Sequence, residues 1–389
     1  MRFSRPVYRI HPFAGHSQMI HRPLRILHLT AASDAGGLSR YLLDLCGGLV
    51  ERGHDVILAG ERGAWHDRFE KAGWPWIEIP LKGGPLAFWK SVRTLRTYLK
   101  QHPVDVIHAH TRRATLLGRR LQVNRKPPLL YTLHLSHMPL NHGRRWLSDF
   151  GDHTHAASVD GRQWLLDEHL VPGQRITVIP HGISTERFPV ATEADRLAAR
   201  ASLDLSPQDL VAAYVGRLDY PKNVEWLIDL ASTSRVTLPH LKILLTGDGP
   251  DESALRQAIA AQAVGDRVRM LGARDPLPIY QAADALLLPS QREGFSLVTA
   301  EAMSVGVPVL RTHTSGTAET IVENVTGQST SIDHDAFIVA AIAFLSDPQR
   351  LRSMGHAAAS HVREHLTSQN QIDRTVTLYR QLISYTSSC

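Results

Sequence analysis

From Leu24 onward the apolar positions alternate between two regimes. Short β-prone runs, LRILHLT (24–30), HDVILAG (54–60), WPWIEIP (74–80), VDVIHAH (104–110) and PLLYTLHLS (128–136), are apolar almost throughout, the pattern of strands buried on both faces. Between them LSRYLLDLCGGLVERG (38–53), FWKSVRTLRTYLKQH (88–102) and TLLGRRLQ (115–122) place apolar residues at helical spacing. The turn SDAGG joins the first strand to the first helix, so the chain opens on a strand, Gly turn, helix and strand. Strands alternating with helices predict parallel sheets covered on both faces, whose ligands gather at the carboxyl ends of the strands.

After RITVIPHGIS (175–184) the segment 186–209, ERFPVATEADRLAARASLDLSPQD, is polar, Pro-containing and non-repeating, and predicts a linker. A second series then starts at LVAAYVGRL (210–218). It runs through the helix NVEWLIDLAS, the strand LKILLTG, the helix ESALRQAIAAQ, the strand VRMLG, the helix LPIYQAA, the strand ALLLP and a last strand in VGVPVLRT. The simplest architecture is α/β with two Rossmann-like domains, 23–185 and 186–367. A final helix in 368–389 has Ile372, Val376, Tyr379 and Leu382 at helical spacing. Such a helix needs a surface to cover; the N-terminal domain is the expected one, although the pattern alone does not choose it.

Length agrees, since 389 residues exceed one ordinary core. With 43% apolar and 21% charged residues the composition is that of a globular protein. Cys46 and Cys389 offer neither a disulfide framework nor a metal-ligand spacing, which suits a reducing, cytoplasmic setting. No apolar run approaches the ~20 residues needed to span a bilayer. Residues 1–22 are basic and His-rich without the apolar stretch of a signal peptide, and are read as a flexible tail.

Charge changes the picture. Residues 1–190 hold 26 Lys and Arg against 15 Asp and Glu, and the remainder holds 17 against 22. The excess is densest at Arg112, Arg113, Arg119, Arg120, Arg125, Lys126, Arg144 and Arg145. Such a face attracts anionic lipid headgroups or an anionic acceptor, or simply serves solubility. Nucleic acid fits poorly, because aromatic residues are not interleaved and no recognised module is present.

Two stretches carry the candidate chemistry. In QREGFSLVTAEAMSVG (291–306), Glu293 and Glu301 stand eight residues apart around a turn that opens a helix. Ser296 is the expected N-cap, and the backbone amides from Gly294 to Leu297 form an anion site at the positive end of the helix. Helical geometry separates the two carboxylates by roughly 12 Å along the axis, so a shared-proton dyad is not expected. In VGRLDYPKNVEWL, Gly216 ends a strand while Arg217 and Lys222 follow in the loop, two cations suited to a diphosphate. Taken alone, that loop could equally be solvated surface.

With these residues in place the chain resembles the GT-B-fold glycosyltransferases, in particular the retaining enzymes often called family 4. The resemblance rests on AGGLSRY (35–41), DVIHAH (105–110), VIPHGIS with RF (178–188), GRLDYPKN (216–223), LTGDGP (245–250) and the run from Leu271 to Val309. It implies two Rossmann-like domains whose parallel sheets face each other across a cleft that closes on the substrates. It also implies a nucleotide diphosphate sugar as co-substrate, with no cofactor and no metal. The candidate catalytic residues are then Glu293, His110, Arg217 and Lys222. Arg217 and Lys222 would hold the diphosphate, Glu293 the hydroxyls of the transferred sugar, and Glu301 the ribose hydroxyls. His110 would reach the sugar near the reacting carbon. The substrate-binding set is completed by Gly36 and Gly37 in a loop over the phosphates, Gly216, backbone near Arg274 at the nucleobase, and Gly294, Phe295, Ser296 and Leu297. The glutamates are expected to orient the donor rather than exchange protons with it.

The implied reaction moves a sugar to a glycan or lipid-linked acceptor in cell-envelope or exopolysaccharide synthesis, with peripheral contact at the inner face of the plasma membrane. Ser315 departs from the family pattern, standing where the first of two glycines is usual, and Arg292 adds a charge beside Glu293. A nucleotide-sugar epimerase or hydrolase on the same fold remains an alternative, although Asp34 is the sole carboxylate near the N-terminal motifs. A catalytically silent sugar-nucleotide-binding protein is another. His134 and His137 are weaker candidates for lining the acceptor site, and His108 is expected to point into the sheet. The 22 histidines show no compact metal-ligand pattern such as HExxH.

Overall fold

A computed structural model describes residues 22–34, 36–138 and 148–388. The expectations for residues 1–21, Arg144, Arg145 and Cys389 lie outside the described residues. The chain divides into two compact units, residues 1–181 with 368–389, and residues 182–367.

The first unit is built on a seven-stranded parallel sheet in the order β3-β2-β1-β4-β5-β6-β7. Its strands are β1 (Arg25–Ala32), β2 (Asp55–Glu61), β3 (Trp76–Glu78), β4 (Val106–Ala109), β5 (Leu129–Leu133), β6 (His153–Ala156) and β7 (Ile176–Val178). All residues of β4 and β5 are buried, as the apolar runs required. On one face Ile372, Val376, Tyr379 and Leu382 of the helix Ser368–Ser388 join Leu42, Leu45 and Leu49 of the helix Gly37–Glu51 in a single core. On the other face Val92 and Leu95 meet Leu117 and Leu121 beneath β1 and β4. The strand β6 and the helix Val159–Asp167 were not anticipated. HTHA reads as polar, yet all four of its residues are buried, and His153 and Thr154 hydrogen-bond to Thr177 and to the Phe150 carbonyl.

The second unit carries a six-stranded parallel sheet in the order β10-β9-β8-β11-β12-β13. These strands are β8 (Leu210–Val215), β9 (Leu241–Thr246), β10 (Val268–Gly272), β11 (Ala285–Leu288), β12 (Val309–Thr312) and β13 (Gly327–Thr330). The expected linker is in large part a helix, Glu193–Ser202, started by a capping box between Thr192 and Asp195. Arg196 and Arg200 both bind Asp284 at the start of β11, at 2.5 and 2.8 Å, so this segment is anchored to the sheet.

The basic face is smaller than the sequence suggests. Asp149 and Asp152 fold back on Arg119 at 2.8 and 2.5 Å, and Asp152 also pairs with Arg125 at 3.2 Å. Among the described residues no helix is long and apolar enough to cross a membrane.

Candidate functional site

Lys222 and Glu293, candidate residues of the second unit, lie in the loops at the carboxyl ends of β8 and β11. Two loops, one after each strand, are tied together by the Gln291 amide donating to the Pro221 carbonyl at 2.7 Å and the Asn223 side-chain amide donating to Pro289 at 3.0 Å. This fixes Lys222 against Glu293: Lys222 Nζ donates to Glu293 Oε1 at 2.8 Å, and Ser290 Oγ donates to the same oxygen at 2.8 Å. Thr312 Oγ1 donates to the Ser290 carbonyl and so holds that loop on β12.

Glu293 is nearly enclosed. Burial pushes its carboxyl up, but the charges of Lys222 and Arg311 and the hydrogen bonds from Lys222 and Ser290 outweigh that and leave it below its usual value. Arg311 was not singled out from the sequence, where the available signal was a lone cation inside the apolar run VPVLRT. Its guanidinium is fully buried, donates to Thr314 Oγ1 at 2.6 Å and to the Ser315 carbonyl at 3.1 Å, and leaves Nε and Nη1 without a protein partner. Burial lowers it to about 10, opposed by the nearby carboxylates of Glu293 and Glu319.

Arg217 does not join Lys222 at Glu293. Its side chain is exposed and its Nε donates to Asp219 at 3.0 Å. Gly216 is bracketed by a close backbone approach: a Cβ on Gly247 would lie 1.8 Å from the Gly216 carbonyl oxygen, so glycine is required at 247. The side chain of Arg274 folds onto the Leu271 carbonyl at 2.6 Å, just beyond β10.

The helix Leu297–Val305 differs from expectation at its start. Ser296 occupies the N-cap position but adopts a left-handed backbone, φ 64° and ψ 81°, and its hydroxyl makes no capping bond. Instead Ser296 Oγ accepts from Thr299 Oγ1 at 3.0 Å. The consequence favours the anion site, because the Ser296 hydroxyl does not take up an amide at the positive end of this helix. Phe295 is buried, Gly294 and Leu297 are partly exposed, and a Cβ on Gly316 would come within 2.5 Å of the Phe295 carbonyl oxygen. Gly316 thus supports the turn from below, while Ser315 is buried beside it. Glu301, one turn into the helix, is buried and accepts from the Tyr280 hydroxyl at 2.9 Å.

Gly36, Gly37 and His110 belong to the first unit. Gly36 caps the helix Gly37–Glu51 with φ 146°, and a Cβ on either glycine would meet nothing within 4 Å, so open space rather than packing surrounds both. His110 is more enclosed than its expected role suggests. It is buried, and its two ring nitrogens contact His28 Nδ1 at 3.0 Å and His134 Nε2 at 3.3 Å. His108 is fully buried beside it, as expected. His134 is partly exposed at the loop end of β5, and His137 pairs with Asp160 at 2.9 Å. No compact histidine pattern is visible along the chain because these residues come from separate strands; the register that pairs His28 with His108 assembles them.

Comparison with known proteins adds a consistent result. Residues 35–187 match the model described as Glycosyltransferase Family 4, and residues 195–361 match Glycosyl transferases group 1. A D-inositol 3-phosphate glycosyltransferase from Nocardia farcinica is 27% identical over 373 residues, covering 84% of this chain and 81% of the relative. One from Pseudarthrobacter chlorophenolicus is 27% identical over 369 residues, covering 84% and 86%. Among solved structures, Anabaena Alr3699/HepE in complex with UDP superimposes with a TM-score of 0.80 at 21% identity, covering 91% of this chain and 99% of that one. Sucrose-phosphate synthase from Thermosynechococcus elongatus gives 0.80 at 22% identity, covering 93% and 100%. The two parallel α/β units, the paired Lys222 and Glu293 beside an uncapped helix, and the two family matches together place this chain among the GT-B-fold glycosyltransferases of the family 4 type.

Proposed function

We propose that the protein is a retaining transferase that moves a sugar from a nucleoside diphosphate donor to a glycan or lipid-linked acceptor in cell-envelope or exopolysaccharide synthesis. The observation that carries this reading is the convergence of Lys222, Glu293 and the uncapped N-terminus of the helix Leu297–Val305 at the carboxyl end of one sheet. Cleavage of the glycosyl phosphate bond leaves negative charge on the diphosphate and positive charge on the sugar. A fixed ammonium and preorganised amides stabilise the first, and Glu293 holds the second by its hydroxyls. Arg217, exposed and paired with Asp219, swings to the diphosphate when the donor arrives. With Arg217 and Lys222 supplying the positive charge, the reaction proceeds without a metal at the diphosphate. Retention follows if the acceptor hydroxyl attacks from the leaving-group side and passes its proton to a diphosphate oxygen. Glu301 then takes the ribose, the backbone near Arg274 the base, and Gly36 and Gly37 the phosphates.

The donor base proposed first is uracil, because the structural relative Alr3699/HepE is described with UDP. The relatives named for D-inositol 3-phosphate make an anionic acceptor the first to try. Contact with an anionic membrane is supported by the helix Pro85–Gln101, where Leu86 and Trp89 are exposed on the same face as Lys90, Arg93 and Lys100. Calorimetry with UDP, GDP and ADP tests the core of the proposal. Micromolar binding of one of them, lost in Lys222→Ala and Glu301→Ala, supports it; equal, weak binding of all three overturns it. The anomeric configuration of the product, read by NMR, tests retention.

A further inference from the structure

Six histidines of the first unit, His28, His108, His110, His134, His155 and His181, form one contiguous group of rings, with neighbouring centroids 4.1–5.9 Å apart. Burial holds His28 and His134 down to about 3, His155 to about 4, and His108, His110 and His181 well below the usual imidazole range. All six are therefore neutral, which is the form that binds metals.

The hydrogen bonds fix one tautomer. His155 Nε2 can only donate to the Ile179 carbonyl at 2.7 Å, so its Nδ1 is an acceptor and takes the Thr132 hydroxyl proton at 3.0 Å. Thr132 Oγ1 then accepts from His108 Nε2 at 2.6 Å, which leaves His108 Nδ1 as a lone pair, facing the Tyr379 hydroxyl at 2.6 Å. His108 Nδ1 thus carries the lone pair, which now accepts from the Tyr379 hydroxyl and which a metal would take over from it, while Nε2 is anchored through a hydroxyl and a second imidazole. Metal-binding histidines are oriented by outer partners in this way.

One ring nitrogen from each of His28, His108 and His110 lies within 4.8 Å of the other two. His28 Nδ1 and His110 Nε2 are 3.0 Å apart, close to the ~3.3 Å that separates two nitrogens on a tetrahedral zinc with bonds of about 2.0–2.1 Å. His28 Nε2, on the far side of the same ring, is buried with no hydrogen-bond partner among the described residues. We propose that His28, His108 and His110 form a three-histidine site for a borderline divalent transition metal such as Zn²⁺ or Co²⁺. Three neutral imidazoles select against Mg²⁺ and Ca²⁺, which require oxygen ligands. His134, partly exposed, contacts His110 Nδ1 at 3.3 Å. The three histidines belong to the first unit and Lys222 and Glu293 to the second, and the metal site does not depend on the sugar-transfer reading.

The test uses the untagged, full-length protein after chelator treatment. Titration with Co²⁺ is expected to give the ligand-field bands of a four-coordinate imidazole site, saturating at one equivalent, and Zn²⁺ is expected to displace it and raise the melting temperature. His28→Asn and His108→Asn should weaken binding at least tenfold and abolish the shift, whereas His334→Asn, in the second unit, should change neither. Absence of the bands, or unchanged affinity in both cluster variants, overturns the proposal. Should those variants fail to fold, X-ray absorption on zinc-loaded wild type decides: about three imidazole nitrogens per metal support the site, and one or none refutes it.

Discussion

Lys222 Nζ and Glu293 Oε1 lie 2.8 Å apart although 71 residues separate them in the chain. In the proposed reaction, the ammonium that meets the leaving diphosphate is thereby the same one that holds the sugar-facing carboxylate in place. Lys222→Ala should accordingly do two things: lower kcat by about 10²–10³, the usual effect of losing a preorganised donor, and leave Glu293 buried beside a weakened positive field. Steady-state kinetics with the cognate donor would show this, and a change in KM alone would contradict it.

Glu293 also predicts an acid limit. Its folded-state value is depressed, so its pairing contributes stability that is present above the unfolded value and lost as pH falls through the lower folded one. Stability from this pair should be constant from neutral pH down to about 4.5 and decline below it. Glu293→Gln should remove that component of the acid slope in thermal melts taken across the range.

Two glycines should respond oppositely. Gly316→Ala forces a Cβ to 2.5 Å from the Phe295 carbonyl at φ 80°, so it should destabilise the second unit by about 1–3 kcal/mol and displace the Gly-Phe-Ser turn. Gly37→Ala enters open space in the first unit and should leave the melting temperature within a degree or two while raising the donor KM. Equal melting temperatures for both variants would refute the argument.

Tyr280→Phe removes the hydroxyl that donates to Glu301 at 2.9 Å. Nucleotide binding should weaken by roughly 3–10-fold, the equivalent of about 1 kcal/mol for one hydrogen bond. The loss should be smaller with a 2′-deoxynucleotide, which offers Glu301 less to hold; an identical loss with both would separate Tyr280 from ribose recognition.

The exposed pair Leu86 and Trp89 should govern membrane contact. Flotation with vesicles rich in phosphatidylglycerol is expected to retain the wild type at low salt and to lose it in Leu86→Ser/Trp89→Ala, with no effect on donor binding. Equal recovery with neutral vesicles would argue against the electrostatic component.

Much of this protein was determined by the sequence alone. Uninterrupted apolar runs such as VDVIHAH and ALLLP could satisfy their backbone and bury their side chains only inside parallel sheets, and the spacing of Glu293 and Glu301 already spoke against a shared-proton pair. Tertiary structure decided what depends on partners distant in the chain. HTHA became a strand because neighbours satisfied its histidines, and the segment 186–209 became an anchored helix because Asp284 awaited Arg196 and Arg200. Part of the basic face was neutralised by Asp149 and Asp152. Ser296 gave up capping for a left-handed turn, Arg311 came to face Glu293 from within a strand, and three histidines from two strands met at one point. Periodicity reports which side of an element is buried, but the identity of the atom across the gap is set by strand register and loop closure, and that atom determines the charge, the tautomer and the chemistry.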